Sequence, residues 1–95
     1  MTAPEPTVDP VIAALREEIT ELDERLLETV NARLEKVAAL RRRKAEQGIA
    51  FLDPEREAWL AARLREVNSG PLSNDGVGEL LQFVLDLTKR EVGGG

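Results

Sequence analysis

The feature that most constrains this chain is a long run of apolar residues spaced three and four positions apart, without internal glycine or proline. The run follows Asp9 and Pro10, a pair typical of a helix N-cap with proline in the first turn. It ends at about Gln47, before Gly48, a typical helix stop. The pattern predicts one helix of roughly 40 residues, about 55 Å long. Its apolar positions include Ile12, Leu15, Ile19, Leu22, Leu26, Val30, Val37 and Leu40.

A helix of this length does not fit inside a small domain. The chain has 95 residues, and a compact domain of that size is only about 30 Å across. The helix must therefore overhang its own domain or lie along a partner chain. Aromatic residues make up only 3% of the chain, so its own core is small and oligomerisation would add stability.

Two shorter helices are predicted after the long one. Asp53 and Pro54 repeat the cap-and-proline pair, and the helix they begin ends near Asn68. The turn-rich stretch NSGPLSND precedes a third helix, capped by Ser73, Asn74 or Asp75. The predicted fold is all-α with three helices in the order long, short, medium. We expect a flexible segment over 1–8, a helical domain over 9–92 and a Gly tail or linker remnant over 93–95.

The composition excludes several kinds of site. The chain has neither Cys nor His, so it lacks disulfides, a thiol nucleophile, the usual general base and the commonest metal ligands. The net charge of −5 argues against nucleic-acid and anionic-membrane partners. There is no apolar run near the ~20 residues of a membrane span and no signal-peptide pattern at the start, so we expect a cytoplasmic protein.

Cations stand where the helical pattern expects apolar side chains. Arg33 and Lys44 lie only about 20° apart on the helical wheel, on the face of the long helix that carries its apolar positions. Either their stems cover this face while their charged ends reach water, or they line a pocket for an anion. Arg56 and Glu57 flank the inward stripe of the second helix. N-capping alone explains Asp53, and the helix dipole alone explains Glu57. Neither explains why Lys44, Asp53, Arg56 and Glu57 occur together. Most of the RRRK run at 41–44 must be solvated surface.

Arg16 also sits among apolar neighbours, but far from this group. Along a straight helix it lies about 42 Å from Lys44, so the two cannot hold one small ligand within one chain. They could do so if two long helices paired antiparallel in a C₂ dimer, each chain lending Arg16 to the other's site.

The segments ALREEITELDERLLETVNAR, RRRK and FLDPERE together resemble the all-helical class of chorismate mutases. The resemblance covers residues 11–92, and the FLDPERE corner and NSGPLSND loop look closest to the chorismate mutase domains fused to DAHP synthases. It implies an interlocked antiparallel homodimer that binds chorismate and needs no metal or cofactor. A fused or separate DAHP synthase is the implied protein partner. The matching ligand set is Arg16, Arg33, Lys44, Asp53, Arg56 and Glu57, with Thr88 and Val92 on the third helix.

The resemblance also implies a reaction and roles for these residues. The reaction is the Claisen rearrangement of chorismate to prephenate, in which the substrate is held in a reactive conformation and charge on its ether oxygen is stabilised. Arg16 of a partner and Arg33 would bind carboxylates, and Lys44 would reach a carboxylate and the ether oxygen. Asp53 and Glu57 would take the ring hydroxyl or nearby polar groups, and Arg56 would lie near the enolpyruvyl end. Lys44, Arg33 and Glu57 form the implied catalytic group.

One position departs from the family. A Gln or Glu often follows the hydroxyl residue by four positions as a second donor to the ether oxygen, whereas this chain has Val92 four residues after Thr88. Reduced activity, substitution by Glu91 or a shifted helix register would each account for it. Other functions also stay open: a regulatory domain that binds chorismate or prephenate with weak turnover, an isochorismate pyruvate lyase, or a plain helical dimerisation module.

Overall fold

The computed structural model describes residues 9–93, which form three α-helices and their connecting loops, with no β-strand in that range. Helix α1 covers Pro10–Glu46, α2 covers Pro54–Val67 and α3 covers Asn74–Glu91. The predicted all-α fold and its order of long, short and medium helices are confirmed. The predicted flexible segment 1–8 lies outside the described residues, as do positions 94 and 95 of the predicted tail.

The helix starts are set by local side-chain caps. The Asp9 carboxylate accepts hydrogen bonds from the backbone N–H groups of Val11 and Ile12, at 2.8 and 3.3 Å. Asp53 accepts from the Arg56 N–H at 3.0 Å, and Ser73 accepts from the Gly76 N–H, also at 3.0 Å. These bonds satisfy N–H groups that have no partner inside the first turn of a helix. Of the three candidates for the third cap, the chain uses Ser73.

The end of α1 is set by a Schellman motif. Gly48 has φ of +68°, a left-handed conformation that residues with a Cβ rarely adopt. Its N–H donates to the Ala45 carbonyl at 3.2 Å, and the Ile49 N–H donates to the Lys44 carbonyl at 2.8 Å. Both bonds satisfy carbonyl groups of the last turn. The chain therefore turns sharply after Glu46, one residue before the predicted end.

The chain divides into two units, residues 1–33 and 34–95. The described part of the first unit is helical from Pro10 onward and belongs to α1, a helix with no buried residue. Its large apolar side chains are between 44% and 58% exposed at five successive positions of the predicted stripe. These residues are Ile12, Leu15, Ile19, Leu22 and Leu26, which we call the apolar stripe. The stripe thus has the predicted spacing but lies on the surface of the single chain.

The second unit contains the end of α1 together with α2 and α3. Helices α2 and α3 pack against each other, and α3 supplies the buried residues Val77, Leu81 and Thr88. These three share one face of α3, because they are spaced by four and seven residues. No helix in residues 9–93 combines the length and apolar character that crossing a membrane requires.

Candidate active site

The corner between α1 and α2 holds two of the predicted ligand residues. Lys44 is half-buried in the last turn of α1, and its ammonium donates to the Phe51 carbonyl at 3.2 Å. An ammonium has three N–H donors, so this bond fixes the Lys44 side chain while leaving donors for a ligand. Asp53 is exposed and caps α2 through one carboxylate oxygen. Its second oxygen is an additional acceptor at the same corner.

The first turn of α2 presents one cation and one anion. The exposed Arg56 places its guanidinium over the indole of Trp59, 4.6 Å from the ring centroid. Such a stack limits the positions that the guanidinium occupies, at a gain of about 0.5–1 kcal/mol for an exposed pair. The Glu57 carboxylate, 30% exposed, pairs with the Lys89 ammonium of α3 at 3.4 Å. This ion pair links the two helices of the second unit.

The last turn of α3 carries the remaining predicted residues. Thr88 is buried, only 6% exposed, and its hydroxyl donates to the Val84 carbonyl at 2.7 Å. Val92 is the C-cap and is half-buried, with φ and ψ of −109° and −44°. Its N–H donates to the Thr88 carbonyl at 2.8 Å. Helical geometry therefore continues to Val92, which lies one turn after Thr88 on the same face of the helix.

Two predicted ligands lie in the first unit. Arg16 is exposed and Arg33 is half-buried, both on α1. The Thr20 hydroxyl donates to the Arg16 backbone carbonyl at 2.9 Å. A meeting of either guanidinium with the residues of the second unit stays a prediction.

The model of the chorismate mutase type II family matches residues 15–92 of this sequence. The chain belongs to that family. The match includes every candidate ligand residue, from Arg16 to Val92. The predicted all-helical class of chorismate mutases is thereby confirmed.

Known chorismate mutase relatives agree with this family. The sequence is 36% identical over 80 residues to a bifunctional chorismate mutase/prephenate dehydratase of Stutzerimonas stutzeri. It is 37% identical over 79 residues to the protein of that name from Pseudomonas aeruginosa. Each match covers 78% of this chain but 22% of the relative, so the chain spans about a fifth of their length. A form II chorismate mutase structure from Thermus thermophilus has a TM-score of 0.77 and 29% identity, over 85% of this chain and 97% of that one.

The relatives correct one detail of the sequence interpretation. Both bifunctional proteins join a chorismate mutase to a prephenate dehydratase, whereas the FLDPERE corner and the NSGPLSND loop favour a DAHP synthase fusion. Short loop segments of this kind are dictated by turn and capping chemistry, which many helical proteins share. They support the chorismate mutase class, and these relatives do not support the finer choice of fusion partner.

Two cations near the candidate site were missed by the sequence analysis. Lys89 pairs with Glu57. In the sequence, nothing but its place next to Thr88 indicated that Lys89 would lie near the site. Arg41 belongs to the RRRK run, which the sequence predicts to be mostly solvated surface. Its guanidinium lies over the Phe51 ring, 5.4 Å from the centroid, and donates to the Val92 carbonyl. The Arg41-to-Lys44 spacing of three, which puts both on one side of the helix, was the available signal.

Proposed function

We propose that the chain is a chorismate mutase, an isomerase that converts chorismate to prephenate in the cytoplasm on the route to Phe and Tyr. The observation that carries this proposal is the family match over residues 15–92. The match includes α2, α3 and the corner between α1 and α2. The bifunctional relatives and the Thermus structure are chorismate mutases by name, which supports the same activity here.

The chemistry of the rearrangement suits this set of side chains. The reaction is unimolecular and pericyclic, so it needs no nucleophile, no general base and no cofactor. Its demands are a substrate held with its reacting ends together and a fixed donor for the charge that develops on the breaking ether oxygen. A rate gain of ~10⁶ requires only about 8 kcal/mol of transition-state stabilisation. Oriented cations and hydrogen-bond donors supply energies of that order.

The second unit provides the residues to which we assign most of the substrate contacts. Lys44 binds a carboxylate and donates to the ether oxygen, since its bond to Phe51 occupies only one of its N–H groups. Asp53 and Glu57 accept from the ring hydroxyl. Arg56 lies near the enolpyruvyl end, and the Thr88 hydroxyl turns from the Val84 carbonyl toward a substrate carboxylate. A single dianion with a hydroxyl accounts for this mixture of cations and carboxylates at one corner.

Arg16 and Arg33 complete the proposed site through a second copy of the chain. We assign both to the substrate carboxylates, with Arg16 supplied by the partner in an interlocked antiparallel dimer. The exposed apolar stripe of α1 supports this assembly, because five large aliphatic side chains spaced along one helical face need a matching surface. A second α1 running antiparallel offers that surface and brings Arg16 toward the partner's Lys44.

Val92 favours a second candidate function. An apolar side chain follows Thr88 by one helical turn, so this wall offers no side-chain donor to the ether oxygen at that position. A chorismate or prephenate sensor that regulates a fused or separate enzyme would tolerate such a loss. The partner would be a DAHP synthase, as the sequence resemblance implies, or a prephenate dehydratase, to which the bifunctional relatives are joined.

Three measurements on the purified protein separate these functions: turnover of chorismate, binding of chorismate and pyruvate release from isochorismate. Purified protein is mixed with chorismate, loss of chorismate absorbance is followed, and the product is identified by chromatography. Prephenate formation that falls at least 100-fold in Lys44→Ala, but not in the exposed control Arg43→Ala, supports the mutase. Tight chorismate binding with negligible turnover indicates the sensor. Pyruvate release from isochorismate indicates the lyase, and an absence of binding and turnover indicates a plain dimerisation module.

A further inference from the structure

Arg41 contacts two segments that are distant from it in sequence. Its guanidinium covers the ring of Phe51 in the corner after α1, at 5.4 Å from the centroid. The same guanidinium donates to the carbonyl of Val92, 51 residues further along the chain and at the end of α3. One side chain thus joins the end of α1, the corner and the last turn of α3, all within the second unit.

A planar, delocalised cation is well suited to making both contacts at once. The face of a guanidinium stacks on an aromatic ring while its edge, with five N–H donors, remains available to carbonyl oxygens. The carbonyls of the last turn of a helix have no partner inside that helix and carry the negative end of its dipole. A cation directed at Val92 therefore both satisfies an acceptor and stabilises the end of α3 electrostatically.

The neighbouring Arg43 behaves differently. Arg43 pairs with Glu46 of its own helix at 3.3 Å, and its side chain is 69% exposed. This pair links residues three apart on one helix surface and joins no other element. The two arginines have the same charge and the same helix propensity, so Arg43 is a matched control for Arg41.

We propose that Arg41 is a positioning residue that holds the last turn of α3, and with it Thr88 and Val92, against the corner that carries Lys44 and Asp53. The proposal rests on the proposed mutase function for its kinetic consequence. The Val92 and Gly93 N–H groups both point to the Thr88 carbonyl, at 2.8 and 3.4 Å, so this turn is the end of the helical hydrogen-bond ladder. Ends of helices fray unless side chains hold them. Arg41 provides that hold from α1.

The first test is amide hydrogen exchange of the native protein, Arg41→Ala and Arg43→Ala. Exchange of the Val92 and Gly93 amides should accelerate roughly 5- to 10-fold in Arg41→Ala, while α2 amides keep their rates and Arg43→Ala matches native. Unchanged exchange at Val92 and Gly93 would overturn the proposal. Equal acceleration throughout α2 and α3 would also overturn it, because Arg41 would then serve only global stability. If Arg41→Ala does not fold, the same exchange measurement is made on Arg41→Lys. The logarithm of the exchange acceleration at Val92 and Gly93 should then be about half as large.

The second test is kinetic and includes the variant Val92→Gln. In an active enzyme, Arg41→Ala should lower kcat/KM roughly 5- to 30-fold, with partial rescue in Arg41→Lys and none of this loss in Arg43→Ala. The gain in kcat/KM from Val92→Gln should be at least threefold smaller when Arg41 is also replaced by alanine. A donor at position 92 is effective only when the end of α3 is held in place. Full kcat/KM in Arg41→Ala despite local fraying would overturn the positioning role. If the native chain has no mutase activity, the proposed function fails, and the exchange experiment alone still decides whether Arg41 holds α3.

Discussion

Replacing Val92 by glutamine adds a hydrogen-bond donor where the proposed mechanism has the most to gain. Negative charge on the ether oxygen is larger in the transition state than in the bound substrate, so a donor there raises kcat more than it tightens binding. Val92 continues the helical geometry of α3 and sits one turn after Thr88. A side chain at this position therefore extends from the same face as the Thr88 hydroxyl.

The size of the gain follows from the exposure of Val92. One hydrogen bond contributes about 1–3 kcal/mol when solvent is excluded, and the lower part of that range applies to a half-buried position such as this one. A stabilisation of about 1–1.4 kcal/mol corresponds to roughly 5- to 10-fold in rate. We therefore expect Val92→Gln to raise kcat/KM by roughly 5- to 10-fold, with a smaller change in KM.

The assay is the initial rate of chorismate loss over a range of concentrations, with two control variants. Val92→Leu enlarges the side chain without adding a donor and should give no gain. Glu91→Gln places an amide at the adjacent exposed position, where Glu91 pairs with Arg90; an unchanged rate is expected, and a gain would make Glu91 the substitute donor. Reduced activity of folded Val92→Gln would refute the reasoning, because Val92 would then pack against the substrate. Unchanged kinetics would mean that position 92 faces water in the assembled enzyme.

Further predictions concern assembly, the shared site, titration and the indole stack. Sedimentation should show a homodimer whose thermal stability rises with protein concentration, and a well-folded monomer at micromolar concentration would exclude the shared site. Arg16→Ala and Lys44→Ala should each be nearly inactive, while mixed dimers of the two variants should regain about one native site. If activity does not recover after confirmed subunit exchange, Arg16 has only a structural role. Val92→Glu should gain rate only as pH falls toward about 4, since a carboxyl donates only when protonated. Trp59→Ala should raise KM about 2- to 5-fold by releasing Arg56, whereas Trp59→Phe should retain most of the affinity; equal KM values for the two variants would contradict a role for the stack.

Local chemistry made most of the fold predictable. Asp9 and Asp53 were identifiable as caps, and Ser73 as one of three candidates, because a short polar side chain bonds N–H groups only two or three residues away. Gly48 was identifiable as a stop because the conformation it adopts is costly for other residues. Helix ends are therefore determined within a few residues of sequence, which is why the predicted and observed ends nearly coincide.

Contacts between distant parts of the chain were not predictable in the same way. Glu57 and Lys89 are 32 residues apart, and Arg41 and Val92 are 51 apart. Their pairing depends on how helices turn and pack after the corner, and no spacing in a single sequence encodes that. Arg41 is an example, because within RRRK its neighbours Arg42 and Arg43 have the same chemistry and, like Arg41, are exposed. The separate roles of these arginines follow from the fold.

The apolar stripe of α1 also affects how the protein reaches its final state. A helix without buried residues is held mainly by its own hydrogen bonds, which are marginal in water when nothing packs against them. The second unit, with Val77 and Leu81 buried, can become ordered from its own contacts. Among the described residues of a newly made chain, 9–33 are then the segment most open to proteases and to aggregation until another molecule covers the stripe. Encounters between chains scale with the square of their concentration. When expression is lowered, the cellular abundance of the protein would therefore fall more steeply than its rate of synthesis.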